Sequence, residues 1–208
     1  MFNNGNKRVL FEYRAWPDHT EAFSAAIREQ FTLHKQEERT DQYFLATDDP
    51  EVLPKIRGGN RLEIKVKVGE TGSIARWRRQ FSQKFPLDDR SLDEVNRAFP
   101  RVVLSTRDLK SPERLCRALH QSYIECALAK RRLLFRTAHC SAEITDVTVH
   151  GRTAVTIALE GESAAPVETF LSLMGSPLLP NEDYGIWLNR AYSEVIARPP
   201  GALRAAGF

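Results

Sequence analysis

Cysteine is scarce in this 208-residue chain, and its three thiols, Cys116, Cys126 and Cys140, are an odd number. They lie too far apart for a zinc knuckle, so neither a disulfide scaffold nor a cysteine metal site is expected. At this length neither is needed, because such a chain buries about 70% of the surface its unfolded form exposes. The thiols read as reduced, packed residues of a cytoplasmic protein. No apolar run approaches the ~20 residues of a membrane-spanning helix, so no membrane partner is expected. The opening MFNNGNKRVLFEYRAW lacks the apolar core of roughly 7–15 residues that marks a secretory signal. The histidines His19, His34, His120, His139 and His150 show no HxH or HExxH spacing. Ser105, Ser141 and Ser172 lack a nucleophile-elbow context. Gly58-Gly59 is too short for a phosphate loop and reads as a turn. There is no repeat of fixed period and no low-complexity segment.

An ordinary globular composition is present instead, with 42% hydrophobic and 27% charged residues, which excludes wholesale disorder. The net charge of +3 is weak evidence for an anionic partner. Residues 8–16 read as a strand closed by Pro17. Asp18 and Glu21 form a capping-box pattern before an amphipathic helix over roughly 19–33. QYFLA at 42–46 reads as a strand and DDP at 48–50 as a turn. VLPKIRGGNRLEIKVKVG reads as a hairpin turning on Gly58, Gly59 and Asn60.

The middle of the chain is less regular. Residues 75–85 are ambiguous between helix and strand. Ser91 and Glu94 suggest a second capping box, VVLS at 102–105 a short strand, and Ser111-Pro112 a helix start running on through Cys126. Strands return at 128–139, 142–150 and 153–160, with Gly151 as a turn. Helices at 164–174 and 182–197 follow, separated by a Pro177–Pro180 loop. Residues 1–198 read as a single domain and 199–208 as a flexible tail.

Where the charges sit is more informative than their sum. In Arg61–Val68 one face carries Arg61, Glu63, Lys65 and Lys67, and the other Leu62, Ile64, Val66 and Val68. Successive side chains of a strand point to opposite faces, so the assignment follows from the backbone. Lys55 and Arg57 continue the charged phase before the turn. Glu12 and Arg14 share a face, as do Lys130, Arg132 and Arg136, and as do Glu160 and Glu162. An antiparallel sheet with one wet face explains such alternation. The alternative is a closed barrel whose charged faces line a lumen. A lumen rich in cations is costly unless it is wet or holds an anion, and phosphate chains suit guanidinium and ammonium groups.

In order along the chain these motifs resemble the CYTH superfamily of triphosphate tunnel metalloenzymes. LFEYR stands where that family has ExExK, with Glu12 as the second glutamate and Arg14 as the lysine. Asp41-Gln42-Tyr43 fits its Asp-x-Tyr strand, LPKIR its arginine strand through Arg57, and LEIKVKV its lysine strand through Lys65 and Lys67. LAKRR gives Lys130 and Arg132, EITDV gives Asp146, LEGE gives the pair Glu160 and Glu162, and DYGIWLNRAY resembles the closing Tyr-rich helix. The resemblance implies an α+β fold: an antiparallel eight-stranded β-barrel, or tunnel, with a charged lumen covered by surface helices. It also implies Mg²⁺ or Mn²⁺ held by carboxylates. Two departures stand out. Leu10 replaces the first motif glutamate, and the mid-chain R-x-E-x-E strand is missing its glutamates.

The resemblance yields two expectations of function. The first is a metal-dependent phosphohydrolase acting on inorganic triphosphate, thiamine triphosphate or a nucleoside triphosphate. Arg14, Arg57, Lys65, Lys67, Lys130, Arg132 and Arg136 would bind the substrate. Glu12, Glu160 and Glu162 would hold the metal, and Glu12, Lys65 and Arg132 would be catalytic. The second is a degenerate, non-catalytic domain that binds a nucleotide, polyphosphate or other polyanion. The expected partner is therefore a small anionic phosphate compound. The run Arg76-Trp77-Arg78-Arg79 is compatible with base stacking by a nucleic acid, although such runs are more often solvated edges. The low carboxylate count at the tunnel mouth is the feature that separates enzyme from binder.

Overall fold

At residues 58 and 59 the backbone must take positive φ to reverse direction, and glycine does so at little cost: Gly58 has φ 56° and Gly59 φ 73°. They join β3 (Val52–Arg57) to β4 (Arg61–Thr71) in the expected hairpin. The computed structural model describes residues 8–46, 51–174 and 179–196. The remaining strands are β1 (Val9–Ala15), β2 (Thr32–Leu45), β5 (Ile74–Lys84), β6 (Ile124–Arg136), β7 (Cys140–Val149) and β8 (Arg152–Gly161). The helices are α1 (Glu21–Gln30), α2 (Leu92–Ala98), α3 (Pro112–Leu119), α4 (Ala164–Leu173) and α5 (Tyr184–Ile196). The eight strands close into an antiparallel barrel in the order β1-β5-β4-β3-β2-β6-β7-β8. Closure leaves no free sheet edge and turns every second side chain inward.

Three apolar clusters hold the barrel. On one side α1 and α4 cover the outer face of β1, β7 and β8, with Ile27, Val167 and Phe170 packed on Tyr13, Ile144 and Leu159. On the other side α2 and α3 cover β3 and β4, with Val95, Phe99 and Leu115 near Ile56, Leu62 and Ile64. The third cluster lies inside the barrel. There Tyr43, Leu45, Leu53, Trp77, Leu128, Val147 and Val149 meet Tyr184 and Leu188 of α5, which closes that end. Among the described residues no helix is long and apolar enough to cross a membrane.

Several local expectations need correction. Helix α1 stops at Gln30 because Phe31 is already extended (φ −125°, ψ 148°), and the chain runs straight into a 14-residue β2. Its N-cap is Thr20, which makes no side-chain capping bond, so Asp18 does not cap it. Ser91 likewise makes no capping bond; its hydroxyl donates to Gln83, and Glu94 accepts from Gln80. Residues 102–105 are not a strand. The Leu104 peptide is paired through both its N–H and C=O with the Asn96 side chain, and Val103 is 95% exposed.

The ambiguous 75–85 segment is a strand, β5. Helix α3 begins as expected, with the Ser111 hydroxyl accepting the Arg114 N–H, but it ends at Leu119, and Cys126 belongs to β6. The turn at 48–50, most of the Pro177–Pro180 loop and the tail 199–208 lie outside the described residues.

Candidate functional site: a charged lumen

Inward positions of all eight strands define a cavity of about 300 Å³, shut at its inner end by Asp183 and Tyr184 at the start of α5. Nine cations line it: Arg14, Arg39, Lys55, Arg57, Lys65, Arg79, Lys130, Arg132 and Arg136. Five carboxylates face them: Glu12, Glu63, Glu143, Glu160 and Asp183. Glu37 and Asp41 pair with these cations from β2. Burying so many charges is tolerable only because nearly all are paired.

Deepest lies a lysine pair around a phenol. Lys130 donates to the Tyr43 hydroxyl at 2.8 Å, sits 3.2 Å from Asp41 and lies 3.6 Å from the centre of the Tyr184 ring. Lys55 donates to the same hydroxyl at 3.4 Å and stands 3.3 Å from Glu63. Burial pushes both ammonium groups below their ordinary range, Lys130 strongly. Burial also pushes the Tyr43 hydroxyl well up. Asp41 goes the other way: burial opposes its charge, but Lys130, Lys55 and Arg39 outweigh that and hold it well below the carboxylate range. Its Oδ1 accepts from the Gly58 N–H, so the β3–β4 turn also fixes it.

At mid-depth Arg14 Nε donates to Glu12 at 3.0 Å, and its Nη1 reaches Thr156 at 3.3 Å and Glu143 at 3.6 Å. Arg132 bridges Glu37 and Glu143. Nearer the mouth the Lys65 ammonium stands 3.1 Å from Glu12 and 3.6 Å from Glu160. Burial raises the Glu12 pKa, yet Lys65 and Arg14 pull it down to about 2; Glu63, with Lys55, Lys65, Arg57 and Arg79 around it, is also held at about 2. Arg57 reaches Glu63 at 3.4 Å and Arg79 reaches the same carboxylate at 3.7 Å, both cations partly exposed. Among the described residues Arg136 has no carboxylate within ion-pair distance. The buried Arg132 Nε and Tyr184 hydroxyl have no hydrogen-bond partner there either.

Of the expected site residues, Glu12, Arg14, Arg57, Lys65, Lys130, Arg132, Arg136 and Glu160 meet in this one cavity. Lys67 does not. Opposite Trp77 on β5 it keeps the inward phase, but it pairs with Glu70 and does not line the cavity. Glu162 follows the end of β8, is exposed and pairs with Arg8 outside the lumen. Asp146 faces outward and pairs with Arg131. Two further carboxylates, Glu63 and Glu143, line the cavity with Glu12 and Glu160, each held by cations. Glu37, Arg39 and Glu143 went unread, although Lys35, Glu37, Arg39, Asp41 and Tyr43 alternate along β2. A larger, open groove of about 1010 Å³ at Trp16, Asp146 and Arg190 holds charges already paired, Arg131 with Asp146 and Arg190 with Glu182.

A resident divalent ion does not fit the expected carboxylates. Glu162 is outside, an ammonium stands between Glu12 and Glu160, and no group of three or more His, Cys, Asp or Glu side chains among the described residues could hold a metal.

No family model matches the chain, and no curated protein matches it in sequence. Solved structures do match. One is an adenylyl cyclase candidate from Hippeastrum described as having a dominant triphosphatase activity, at 14% identity and a TM-score of 0.53, covering 89% of this chain and 96% of that one. Another is a Pyrococcus horikoshii protein at 12% identity and a TM-score of 0.49, covering 84% and 96%. At these identities the likeness is one of fold. With its closed eight-stranded antiparallel barrel, inward charges and covering helices, the chain has the α+β tunnel fold of the Hippeastrum protein, the fold that the sequence resemblance implied.

Proposed function

We propose that the lumen binds the phosphate chain of a triphosphate-containing compound and that the protein is a phosphohydrolase acting on it. The observation that carries this reading is a set of unsatisfied donors in a cavity where nine cations face five carboxylates. The Arg132 Nε and the Tyr184 hydroxyl are buried without an acceptor, and Arg136, exposed at the rim, has no carboxylate partner among the described residues. Buried donors left unmade are costly, and phosphate oxygens supply the acceptors they need. Guanidinium groups can grip two oxygens at once, which suits a chain entering past Arg57, Arg79 and Arg136.

In hydrolysis, water attacks the terminal phosphorus, its proton passes to a phosphate oxygen of the substrate, and the anhydride P–O bond breaks. The leaving diphosphate takes the electron pair. Lys65, Arg14 and Arg132 would neutralise the oxygens on which charge develops, a preorganised contribution that water cannot match. Glu12, held at about 2, is a poor base at neutral pH and serves to hold Lys65 and Arg14 in place. The Hippeastrum protein of like fold, with its triphosphatase activity, supports this reading. Binding without hydrolysis is the second reading. It is favoured by the engagement of Glu12, Glu63, Glu143 and Glu160 by cations, which leaves Asp183 at the floor, its Oδ1 accepting the Gly185 and Ile186 N–H groups, as the lining carboxylate without an ion pair among the described residues.

Phosphate release from tripolyphosphate, thiamine triphosphate and nucleoside triphosphates, each with Mg²⁺, with Mn²⁺ and with chelator, tests the proposal. Release from one of them is expected. No release from any, alongside measurable tripolyphosphate binding, would establish the second reading.

A further inference from the structure

Glu12 and Glu160 are direct cross-strand partners on β1 and β8, so their side chains project side by side into the lumen. Between them stands the Lys65 ammonium from β4, 3.1 Å from one carboxylate and 3.6 Å from the other. We infer that Lys65 is a tethered cation in the place between these two carboxylates, and that it makes phosphate-chain binding in this lumen independent of a divalent metal.

Three observations carry the inference. Both carboxylates are already engaged, Glu12 by Arg14 and Lys65 and Glu160 by Lys65. A divalent ion between them would therefore have to displace the Lys65 ammonium and would be repelled by two fixed cations. The neighbouring positions also supply no further ligand. Position 10, on the same face of β1 towards the mouth, is a leucine, and Glu162 pairs with Arg8 outside. Mg²⁺ bound through carboxylates needs them free and close to octahedral geometry, whereas here both are already held by an ammonium. Finally, the ammonium is placed to act on an anion. It lines the cavity with Arg79 on the paired strand β5, so oxygens of a bound phosphate chain can share it with the carboxylates.

This inference rests on the proposal that the lumen binds a phosphate chain, and the experiment separates the two. Mn²⁺ is titrated into the whole chain and followed by electron paramagnetic resonance. In parallel, tripolyphosphate binding is measured by calorimetry in chelator and in Mg²⁺. The wild type is expected to show no specific Mn²⁺ site and to bind tripolyphosphate no more tightly in Mg²⁺ than in chelator. Lys65→Gln is expected to weaken metal-free tripolyphosphate binding about tenfold or more, as befits a lost charged hydrogen bond. It should also create a Mn²⁺ site that Glu160→Gln in the same background removes.

A Mn²⁺ site in the wild type that Glu160→Gln abolishes would overturn the inference, and this titration requires no change at Lys65. So would a Lys65→Gln protein with a native circular-dichroism spectrum that takes up no Mn²⁺. Tripolyphosphate binding that appears only with Mg²⁺ would overturn it as well. Absence of tripolyphosphate binding under every condition would overturn the phosphate-chain reading and its metal-free half, while the Mn²⁺ titration still decides whether Lys65 stands in a cation's place.

Discussion

The two ends of the barrel interior are built from the same strands and have opposite chemistry. Along β2 the inward series runs Glu37, Arg39, Asp41 and then Tyr43, Leu45; along β6 it runs Arg132, Lys130 and then Leu128, Cys126. The change from charged to apolar falls after Asp41 on β2 and one inward position earlier on β6, where Leu128 stands opposite Asp41. Beyond this boundary α5 seals the barrel with Tyr184 and Leu188. The apolar end gains free energy from every Å² it removes from water, about 25 cal/mol each. The charged end gains little, since buried ion pairs roughly break even against apolar packing of the same volume. Half the interior therefore stabilises the fold, and the other half is tolerated by it, as expected where function constrains composition.

Leu188→Asp should have the largest effect of any change to this division. It places an unpaired carboxylate in the sealed end at a residue that is 1% exposed, and loss of the cooperative melt is expected. The milder Leu188→Ala should cost about 2–5 kcal/mol. A melting temperature close to that of the wild type would show that α5 does not hold the barrel shut.

Acid should attack the charged end next. Glu12 and Glu63 are held at about 2, against an ordinary 4.5, by the cations around them. A carboxylate with a depressed folded pKa contributes stability that is fully present above the unfolded value. That stability is lost as pH falls through the folded value, so the window runs from 4.5 down to about 2. Each group is worth up to about 3 kcal/mol, and denaturant titrations across that window should show the loss. A flat profile would mean that these ion pairs do not survive in solution.

Arg57→Ala with Lys130→Ala should weaken tripolyphosphate binding by about 1.5–3 kcal/mol for each lost charged hydrogen bond. The remaining affinity should fall with ionic strength, as for any electrostatic site. Unchanged affinity in calorimetry would place the anion elsewhere.

The smallest expected effect is that of Tyr184→Phe at the boundary between the two ends. It removes a buried hydroxyl without a partner among the described residues, so stability should hold or rise slightly. Tripolyphosphate binding should weaken by about 0.5–1.5 kcal/mol. A stability loss with unchanged binding would show that the hydroxyl serves the fold.

How much of this was legible follows from the composition of each face. In β4 the alternation of Leu62 and Ile64 with Glu63 and Lys65 contrasts apolar with charged, so both faces could be read. In the first ten residues of β2, polar residues dominate both faces, one in solvent and one in ion pairs. The period of two is therefore hidden, and the segment read partly as helix. Residues 102–105 erred in the opposite sense: an apolar run had no strand to pair with, and Asn96 satisfied its backbone instead. Lys67 and Glu162 had the right phase and the wrong place, one paired with Glu70 and the other beyond its strand.

By itself, the sequence determined which side chains share a face, because the alternation of a strand is fixed by backbone sterics within a few residues. Only the tertiary structure decided which charges neutralise one another. Glu12 meets Lys65, and Arg132 meets Glu37, across strand pairings that no local pattern encodes. The Coulomb energy of such a pair depends on separations of a few ångströms, and barrel closure sets those separations. The same closure placed α5 across one end, which made the lumen a blind pocket with Tyr184 at its floor.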